Sequence, residues 1–265
     1  MSDPALPVTQ VPAYRAVLLD IEGTTTPITF VHDVLFPYVL DRLEPFVKSH
    51  WGTGILTPFI RQFHEQYEAD IRNGPQEAPR VHAPNDASVT TADAQASLLA
   101  NIQWLMKHDR KVKALKDLQG YMWKDGYVSG ELKAIVYDDV VQAFKVWHDQ
   151  QIPIYIYSSG SVPAQKLLFG YSNHGDLTPY LNGYYDTNVG PKLEASSYIR
   201  IVDDIGLPPN QVMFVSDNFK EIEAATSAGL VTAISVRPGN AALPPKATDG
   251  MFRVVTEFIP LLPVN

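Results

Sequence analysis

Four short apolar runs constrain the fold of this chain more than any other feature of its sequence. They cover residues 16–19, 152–157, 211–215 and 230–236. Continuous apolar runs of this length are typical of strands that are buried on both faces of a parallel sheet. Because right-handed crossovers bring the carboxyl ends of parallel strands to one edge, we expect the residues after these runs to share that edge. Ligands of open α/β sheets bind there.

Helical patterns separate the later runs. Strand and helix alternate from about residue 135 onward, which predicts a doubly wound parallel sheet of the α/β class. The predicted helices are one carrying Val140, Val141, Phe144 and Trp147, one over residues 163–170, one carrying Ile199, Val202 and Ile205 that ends at Gly206, and one over residues 219–229. Shorter strands are predicted at residues 184–186 and 252–255.

About a hundred residues after the first run are helical in pattern and lack strand alternation. The predicted helices are one carrying Val31, Val34, Leu35, Tyr38 and Val39, which Pro37 and Pro45 must kink or split, one over residues 57–71, one capped by Thr90 and Asp93, and one over residues 111–124. Residues 73–91 are polar and aperiodic, which predicts a surface loop. We therefore expect an α/β core of residues 1–27 and 136–265, with a helical insert of residues 28–135.

Composition excludes several classes of protein. The formal net charge is −8, whereas a nucleic-acid surface needs clustered lysine and arginine. The absence of cysteine excludes disulfides and thiol nucleophiles, and no apolar run approaches the ~20 residues of a membrane span. The polar, proline-rich start of the chain is unlike a secretory signal. We expect a cytoplasmic protein, with the nucleus left open for a eukaryote, that has no nucleic-acid or membrane partner; we also expect a monomer.

The residues after the runs predict a site for a phosphate ester. Asp20 follows the first run, and its carboxylate can attack phosphorus as a nucleophile. The phosphate is itself an anion, and each like-charge pair at ~4 Å costs about 4 kcal/mol at an effective dielectric of ~20. Mg²⁺ bound by Asp20 and Asp217, together with the ammonium group of Lys192, can offset this repulsion.

Three further residues can complete the reaction. Hydroxyl and backbone N–H groups at Ser158 and Ser159 can hold phosphate oxygens. Glu22, two residues beyond the nucleophile, can protonate the leaving oxygen and then deprotonate the attacking water. Taken singly, these residues have simpler explanations: the serines end a strand, Asp217 caps a helix, and Lys192 is a solvated lysine. Together, those explanations require several independent coincidences in the right order.

The order of these groups resembles the motifs of the haloacid dehalogenase-like superfamily of phosphohydrolases. Those motifs are an aspartate nucleophile with an acid two residues on, a serine or threonine, a lysine and a final acidic pair. The matching residues are Asp20 with Glu22, Ser159, Lys192, and Asp217 with Glu221. The superfamily usually has aspartate at the position of Glu22, and a glutamate reaches ~1.5 Å further. The resemblance implies that residues 28–135 are the superfamily's helical cap.

Longer blocks are similar to one family of that superfamily, the acireductone synthases, which are the enolase-phosphatases of methionine salvage. The blocks are DIEGTTTP, VLFPY, LQGYMW, IYIYSSGSVPAQKLLFG and GPKLEASSY. The first block agrees with the family in having glutamate at position 22. The family resemblance implies a bifunctional enzyme that enolises 5-methylthio-2,3-dioxopentyl phosphate and then hydrolyses the ester. The products are 1,2-dihydroxy-5-methylthiopent-1-en-3-one, which is an acireductone, and phosphate.

The same resemblance implies the roles of the site residues. One Mg²⁺ per subunit would be bound by Asp20, Glu22 and Asp217, with Glu22 contributing at least its backbone carbonyl. The substrate would be bound by Ser158, Ser159 and Lys192. Asp20 and Glu22 would be the catalytic residues, and Glu221 would support the site.

Two other functions stay open at this point. The chain could be a phosphatase of another small phosphorylated metabolite, such as a sugar phosphate, which a substrate panel would distinguish. It could also be a non-catalytic binding protein on the same fold. No sequence feature favours that second alternative, because none of the motif residues is missing.

Overall fold

The structure is a computed structural model, and it describes residues 13–263. The chain divides into two compact units, one of Met1–Asp33 with Gly130–Asn265 and one of Val34–Ser129. The start of the chain, where the sequence is unlike a secretory signal, lies outside the described residues. Within residues 13–263, none of the helices is long and apolar enough to cross a lipid bilayer.

Six parallel strands form a sheet in the described part of the first unit. They are β1 (Ala16–Leu19), β2 (Ile154–Tyr157), β3 (Leu181–Tyr185), β4 (Val212–Ser216), β5 (Val231–Ser235) and β6 (Arg253–Val255). Their order across the sheet is β3-β2-β1-β4-β5-β6, so β1 lies between β2 and β4. All side chains of β1 are fully buried, as expected of a strand covered on both faces. The predicted α/β fold is confirmed.

The second unit is helical. It contains α1 (Phe36–His50), α2 (Leu56–Asn73), α3 (Thr91–Lys107) and α4 (Lys113–Ser129), and the π-helical turn Val31–Leu35 precedes α1. The break predicted near Pro37 is confirmed, because the π-helical turn ends at Leu35 and α1 starts at Phe36, but Pro45 lies inside a continuous α1. Thr90 caps α3 as predicted, and its hydroxyl accepts a hydrogen bond from Asp93 N at 3.2 Å. Helix α4 starts and ends later than the predicted 111–124.

Four α-helices alternate with the strands in the described part of the first unit. They are α5 (Asp138–Asp149), α6 (Val162–Gly170), α7 (Ala195–Ile205) and α8 (Phe219–Ser227), with short 3₁₀ turns at Thr178–Tyr180, Pro209–Gln211, Pro245–Ala247 and Ile259–Leu261. Strand β3 starts earlier than predicted, because Asn182 and Gly183 interrupt its apolar pattern without ending it. Ile199 was predicted on the apolar face of α7 but is 46% exposed, and Tyr198 is buried there instead.

Each unit has its own apolar core. In the first unit, side chains of β1, β4, α7 and α8 pack together, among them Leu18, Phe214, Tyr198 and Ile222. In the second unit, the four helices bury Leu43, Phe63, Leu98 and Leu118. Full burial of each such side chain contributes about 1.5–3 kcal/mol. The strand ends that hold the candidate site are therefore fixed to a well-packed sheet.

Candidate active site

The register of the central strands brings the predicted site residues to one edge of the sheet. Leu19, the last residue of β1, is aligned with Ile156 of β2 and with Val215 of β4. Asp20 therefore lies beside the residues that follow both neighbouring strands, and its backbone N–H donates to Val215 O at 3.0 Å. The Asp20 side chain is buried. This is the convergence that the sequence predicted for parallel strand ends.

The chain turns sharply after Asp20. The backbone N–H groups of Thr24, Thr25 and Thr26 all donate to Ile21 O, at 3.2, 2.9 and 3.0 Å. Gly23 has a φ of +72°, in the left-handed region that favours glycine. The Thr24 hydroxyl accepts from Asp217 N at 3.0 Å and is 3.3 Å from Asp20 Oδ2. This turn, residues 21–26, therefore connects the ends of β1 and β4.

Lys192 lies inside the site. Its ammonium group is 2.6 Å from Asp20 Oδ1 and 2.7 Å from Glu221 Oε2, and the side chain is buried. Burial by itself would lower the pKa of Lys192, but the charges of Asp20 and Glu221 outweigh burial and raise it above the ordinary value. The interpretation of Lys192 as a solvated surface lysine is therefore wrong.

Two tyrosines fix the loop that carries Lys192. The hydroxyl of Tyr198 donates to Lys192 O at 2.7 Å, and the hydroxyl of Tyr157 donates to Gly190 O at 2.8 Å. The Lys192 ammonium group also lies 5.6 Å from the centre of the Tyr157 ring, within the range of a cation–π contact. The lysine is thus held at both its backbone and its charged end.

The final acidic pair is also in the site. Glu221 is buried on α8, and its Oε2 accepts from Ser216 Oγ at 2.9 Å as well as from Lys192. Burial, followed by the charge of Asp20, raises the pKa of both Asp217 and Glu221 to about 7. Asp217 does not cap the following helix, because Asn218 does so by accepting from Lys220 N at 3.1 Å. That simpler explanation of Asp217 is also wrong.

The charges at this edge fit a divalent cation. Asp20, Asp217 and Glu221 are three carboxylates, and Lys192 is the ammonium group that pairs with two of them. Burial and the charge of Asp20 raise the pKa values of Asp217 and Glu221, and a cation bound beside them would favour their charged forms. Within residues 13–263, no three acidic, histidine or cysteine side chains already form a complete ligand group. Mg²⁺ does not need a complete set of protein ligands, because it is usually bound by one or two carboxylates together with substrate phosphate and water.

The remaining predicted residues lie in the turns that follow β1 and β2. Ser158 is buried after β2; its N–H donates to Tyr185 O at 3.1 Å, and its hydroxyl accepts from Gly160 N at 3.3 Å. Ser159 is half-buried in this turn, next to the end of β1. Glu22 is half-buried in the turn after Asp20, where it forms a bridge with Thr26. The direct contacts described above join Asp20, Lys192 and Glu221.

Sequence reasoning missed the turn that follows β5. Arg237 Nε donates to Thr24 O at 3.2 Å, and Asn240 Nδ2 donates to Gly23 O at 2.9 Å. These side chains hold two consecutive carbonyls of the turn after Asp20. The sequence contained an indication of this role, because residues 237–240 follow a predicted parallel strand and therefore lie at the edge of the sheet where ligands bind.

Comparisons with known proteins agree with this geometry. The family model of haloacid dehalogenase-like hydrolases matches residues 14–229. Enolase-phosphatase E1 of Xenopus tropicalis is 48% identical over 233 residues, 88% of each chain. The probable bifunctional methylthioribulose-1-phosphate dehydratase/enolase-phosphatase E1 of Populus trichocarpa is 45% identical over 93% of this chain and 47% of its own length. The crystal structure of the UTR4 protein of Saccharomyces cerevisiae has a TM-score of 0.74 at 37% identity, covering 93% of this chain and 99% of that one.

The chain has a parallel sheet with a buried aspartate after the central strand β1, and the family model covers most of the chain. These two findings define a haloacid dehalogenase-like hydrolase. Within that superfamily, the chain belongs to the enolase-phosphatase family, the acireductone synthases of methionine salvage. It is therefore a phosphatase, as the sequence motifs predicted.

Proposed function

We propose that this protein converts 5-methylthio-2,3-dioxopentyl phosphate to 1,2-dihydroxy-5-methylthiopent-1-en-3-one and phosphate, with Asp20 as the nucleophile. The observation that carries the proposal is the buried Asp20 carboxylate, which Lys192 holds at 2.6 Å. A carboxylate in this position is oriented for attack before substrate arrives. Orientation of this kind is a major source of catalysis.

Phosphoryl transfer takes place in two steps. Asp20 attacks phosphorus, the ester P–O bond breaks, and Glu22 protonates the leaving oxygen. Glu22 then takes a proton from a water molecule that attacks the phosphoaspartate, which releases phosphate and restores Asp20. Ser158 and Ser159 bind the phosphate oxygens during both steps, and Lys192 offsets their negative charge.

The metal of this site is one Mg²⁺ per subunit. Asp20 and Asp217 would hold it, with Glu22 contributing at least its backbone carbonyl. The ion supplies positive charge that neutralises part of the phosphate dianion. Three carboxylates, those of Asp20, Asp217 and Glu221, lie with the single ammonium group of Lys192 at this edge, and this excess of negative charge supports the assignment.

Enolisation precedes hydrolysis. It removes a proton from the carbon that carries the phosphate ester, next to a carbonyl group. Asp20 is the nucleophile, Asp217 is assigned to the metal and Glu221 is paired with Lys192. We therefore assign the role of base to Glu22. The enolate oxygen takes a proton from solvent, and the protonated Glu22 then protonates the leaving oxygen. The proton that Glu22 later takes from water returns to solvent, which restores the Glu22 carboxylate.

We also propose that the helical insert is the cap domain of this superfamily. The predicted division, with a core of residues 1–27 and 136–265 and a cap of residues 28–135, stays a prediction, as do the monomeric state and the cytoplasmic location. Gel filtration with light scattering tests the monomer. Deletion of the insert, with a structural check of the remaining core, tests the cap.

The test of the function is incubation of the purified protein with the diketone phosphate and Mg²⁺. Phosphate release and the ultraviolet absorbance of the acireductone are followed together, beside a panel of sugar phosphates. We expect both products in equal amounts and a strong preference for the diketone phosphate. Equal rates across the panel would instead identify a phosphatase of other small metabolites. No turnover of any phosphate ester would indicate a binding protein.

A further inference from the structure

The turn after β5 is built to hold the turn after Asp20. Asn240 N donates to Arg237 O at 3.1 Å, with Pro238 and Gly239 between them. Gly239 has a φ of +88°, and proline followed by such a glycine is the arrangement of a type II turn. The first and last residues of this turn are the ones whose side chains hold Thr24 O and Gly23 O. Residues 237–240 and the turn after Asp20 are therefore one connected structure.

Arg237 anchors this structure in the core. The side chain is buried, and its guanidinium group pairs with both oxygens of Asp139, at 3.1 and 2.7 Å. It also donates to Thr256 O at 2.9 Å. Because bidentate pairs fix the plane of the guanidinium group, the position of the 237–240 turn is well determined. Its last residue, Asn240, is correspondingly well placed.

The orientation of the Asn240 amide is defined by its neighbours. Nδ2 lies 2.9 Å from Gly23 O and 3.4 Å from Ser235 O. Both are acceptors, so the amide nitrogen must face them and the oxygen must face the other way. That oxygen, Oδ1, is buried and has no hydrogen-bond partner among the described residues. A buried acceptor without a partner destabilises the folded protein, so we expect a donor such as a water molecule at this position.

The unpartnered oxygen and the Asp217 carboxylate both lie beside Gly23. A β-carbon placed on Gly23 would be 2.9 Å from Asn240 Oδ1 and would clash with Asp217 Oδ2. Both oxygens therefore border the space that the missing side chain of Gly23 leaves open. Both are acceptors, so they cannot satisfy each other without a donor or a cation between them. The absence of a side chain on Gly23 leaves room for this approach.

We propose that Asn240 is a positioning residue of the metal centre: Nδ2 holds the Gly23 turn in place, and Oδ1 accepts a hydrogen bond from a water molecule that hydrates the ion beside Asp217. Mg²⁺ usually keeps several of its waters, and such waters need acceptors of this kind. The inference rests on the proposed function, because it requires the ion to be held by Asp20 and Asp217.

The experiment measures metal binding without substrate and without turnover. Mn²⁺ alone is titrated into metal-free protein, and unbound Mn²⁺ is followed by electron paramagnetic resonance. Asn240→Ala removes both the donor and the acceptor, whereas Asn240→Asp removes the donor and keeps an oxygen beside Gly23. Asn210→Ala is the matched control, since Asn210 is exposed in the turn before β4, at the opposite edge of the sheet. Thermal melting of the metal-free variants checks their folding.

We expect Asn240→Ala to bind Mn²⁺ about tenfold more weakly, the loss that is typical when a group hydrogen-bonded to a metal ligand is removed. Asn240→Asp should bind more tightly than Asn240→Ala, because it keeps the acceptor, and Asn210→Ala should be unchanged. If Asn240→Asp is as weak as Asn240→Ala, only the donor matters and the role of Oδ1 is wrong. If Asn240→Ala binds normally, Asn240 has no role in the metal centre. If the unaltered protein itself fails to bind Mn²⁺, the metal assignment of the proposed function fails as well.

Discussion

The Lys192 ammonium group donates to Asp20 Oδ1 at 2.6 Å, although 172 positions of sequence separate the two residues. The same group is 2.7 Å from Glu221 Oε2. One buried cation therefore serves two buried carboxylates. Removal of the Lys192 ammonium group would leave both carboxylates without a counter-charge, and buried unpaired charges strongly destabilise a folded protein.

We predict that Lys192→Ala lowers kcat/KM at least tenfold. Loss of one charge-assisted hydrogen bond costs about 1.5–3 kcal/mol, and phosphate binding and the orientation of Asp20 both depend on this group. Steady-state kinetics on the diketone phosphate provide the measurement. Lys246→Ala is the matched control, because that lysine forms an exposed pair with Glu223 at 2.6 Å. An unchanged kcat/KM for Lys192→Ala would remove Lys192 from the mechanism.

Removal of metal should abolish phosphate release. Three carboxylates meet at this edge, and the pKa values of Asp217 and Glu221 are raised by burial and by the charge of Asp20. We expect exhaustive chelation to stop turnover and added Mg²⁺ to restore it. Mg²⁺ should also raise the melting temperature of the unaltered protein but not that of Asp217→Asn. Full activity after chelation would contradict the metal assignment.

Asp20→Asn should end phosphate release while the fold is kept. Asparagine preserves the shape of the side chain, but its amide is not a nucleophile. Phosphate release is measured beside circular dichroism and thermal melting, with Asp203→Asn, an exposed aspartate of α7, as the control. Product formation by Asp20→Asn at a rate close to that of the unaltered protein would show that another group attacks phosphorus.

Gly23→Ala should damage the site more than its backbone strain explains. A left-handed alanine costs about 1–2 kcal/mol, and here the new β-carbon would also clash with Asp217 Oδ2. Gly206→Ala is the matched control, because Gly206 has a similar φ of +76° and open space around its α-carbon. Urea unfolding and Mn²⁺ titration are compared for both variants. We expect similar losses of stability from strain, and a loss of metal affinity in Gly23→Ala alone.

The strands and their polar ends could be predicted because both depend on local pattern. The apolar run of β1 and the acids after it are adjacent in sequence, and parallel connections bring the other strand ends to them. The burial of Lys192 could not be predicted this way. It follows from packing between distant segments, in which Tyr198 of α7 holds the lysine's carbonyl. A pattern identifies the edge of the sheet but does not determine which atoms meet there.

Two other differences between the sequence predictions and the structure also arise from packing between distant segments. Pro45 was expected to kink or split its helix, a cost of about 3 kcal/mol, but Leu43 and Val47 on either side of it are fully buried and hold α1 together. Arg237 and Asn240 were missed because their sequence, Arg-Pro-Gly-Asn, is typical of an ordinary turn. Their contacts with Gly23 and Thr24 depend on the neighbouring positions of β1, β4 and β5 in the sheet.

Substitution of Glu22 tests whether one residue serves both enolisation and ester hydrolysis. If Glu22 is the base of enolisation and then the acid at the leaving oxygen, Glu22→Gln loses both steps. Glutamine keeps the size of the side chain and the backbone carbonyl, but it cannot accept the proton. If the enolisation base lies elsewhere, in the helical insert for example, Glu22→Gln loses hydrolysis alone.

Substrate deuterated at the carbon that carries the phosphate ester distinguishes these outcomes. Loss of deuterium to solvent is followed by NMR, and phosphate release is followed in parallel. Asp20→Asn should exchange deuterium without releasing phosphate, which gives the rate of enolisation by itself. Adding Glu22→Gln to that variant should stop the exchange, whereas Glu223→Gln, a partly exposed glutamate of α8, should leave it unchanged. Exchange that continues at the same rate in the Asp20→Asn, Glu22→Gln variant would show that Glu22 is not the enolisation base and acts only in phosphoryl transfer.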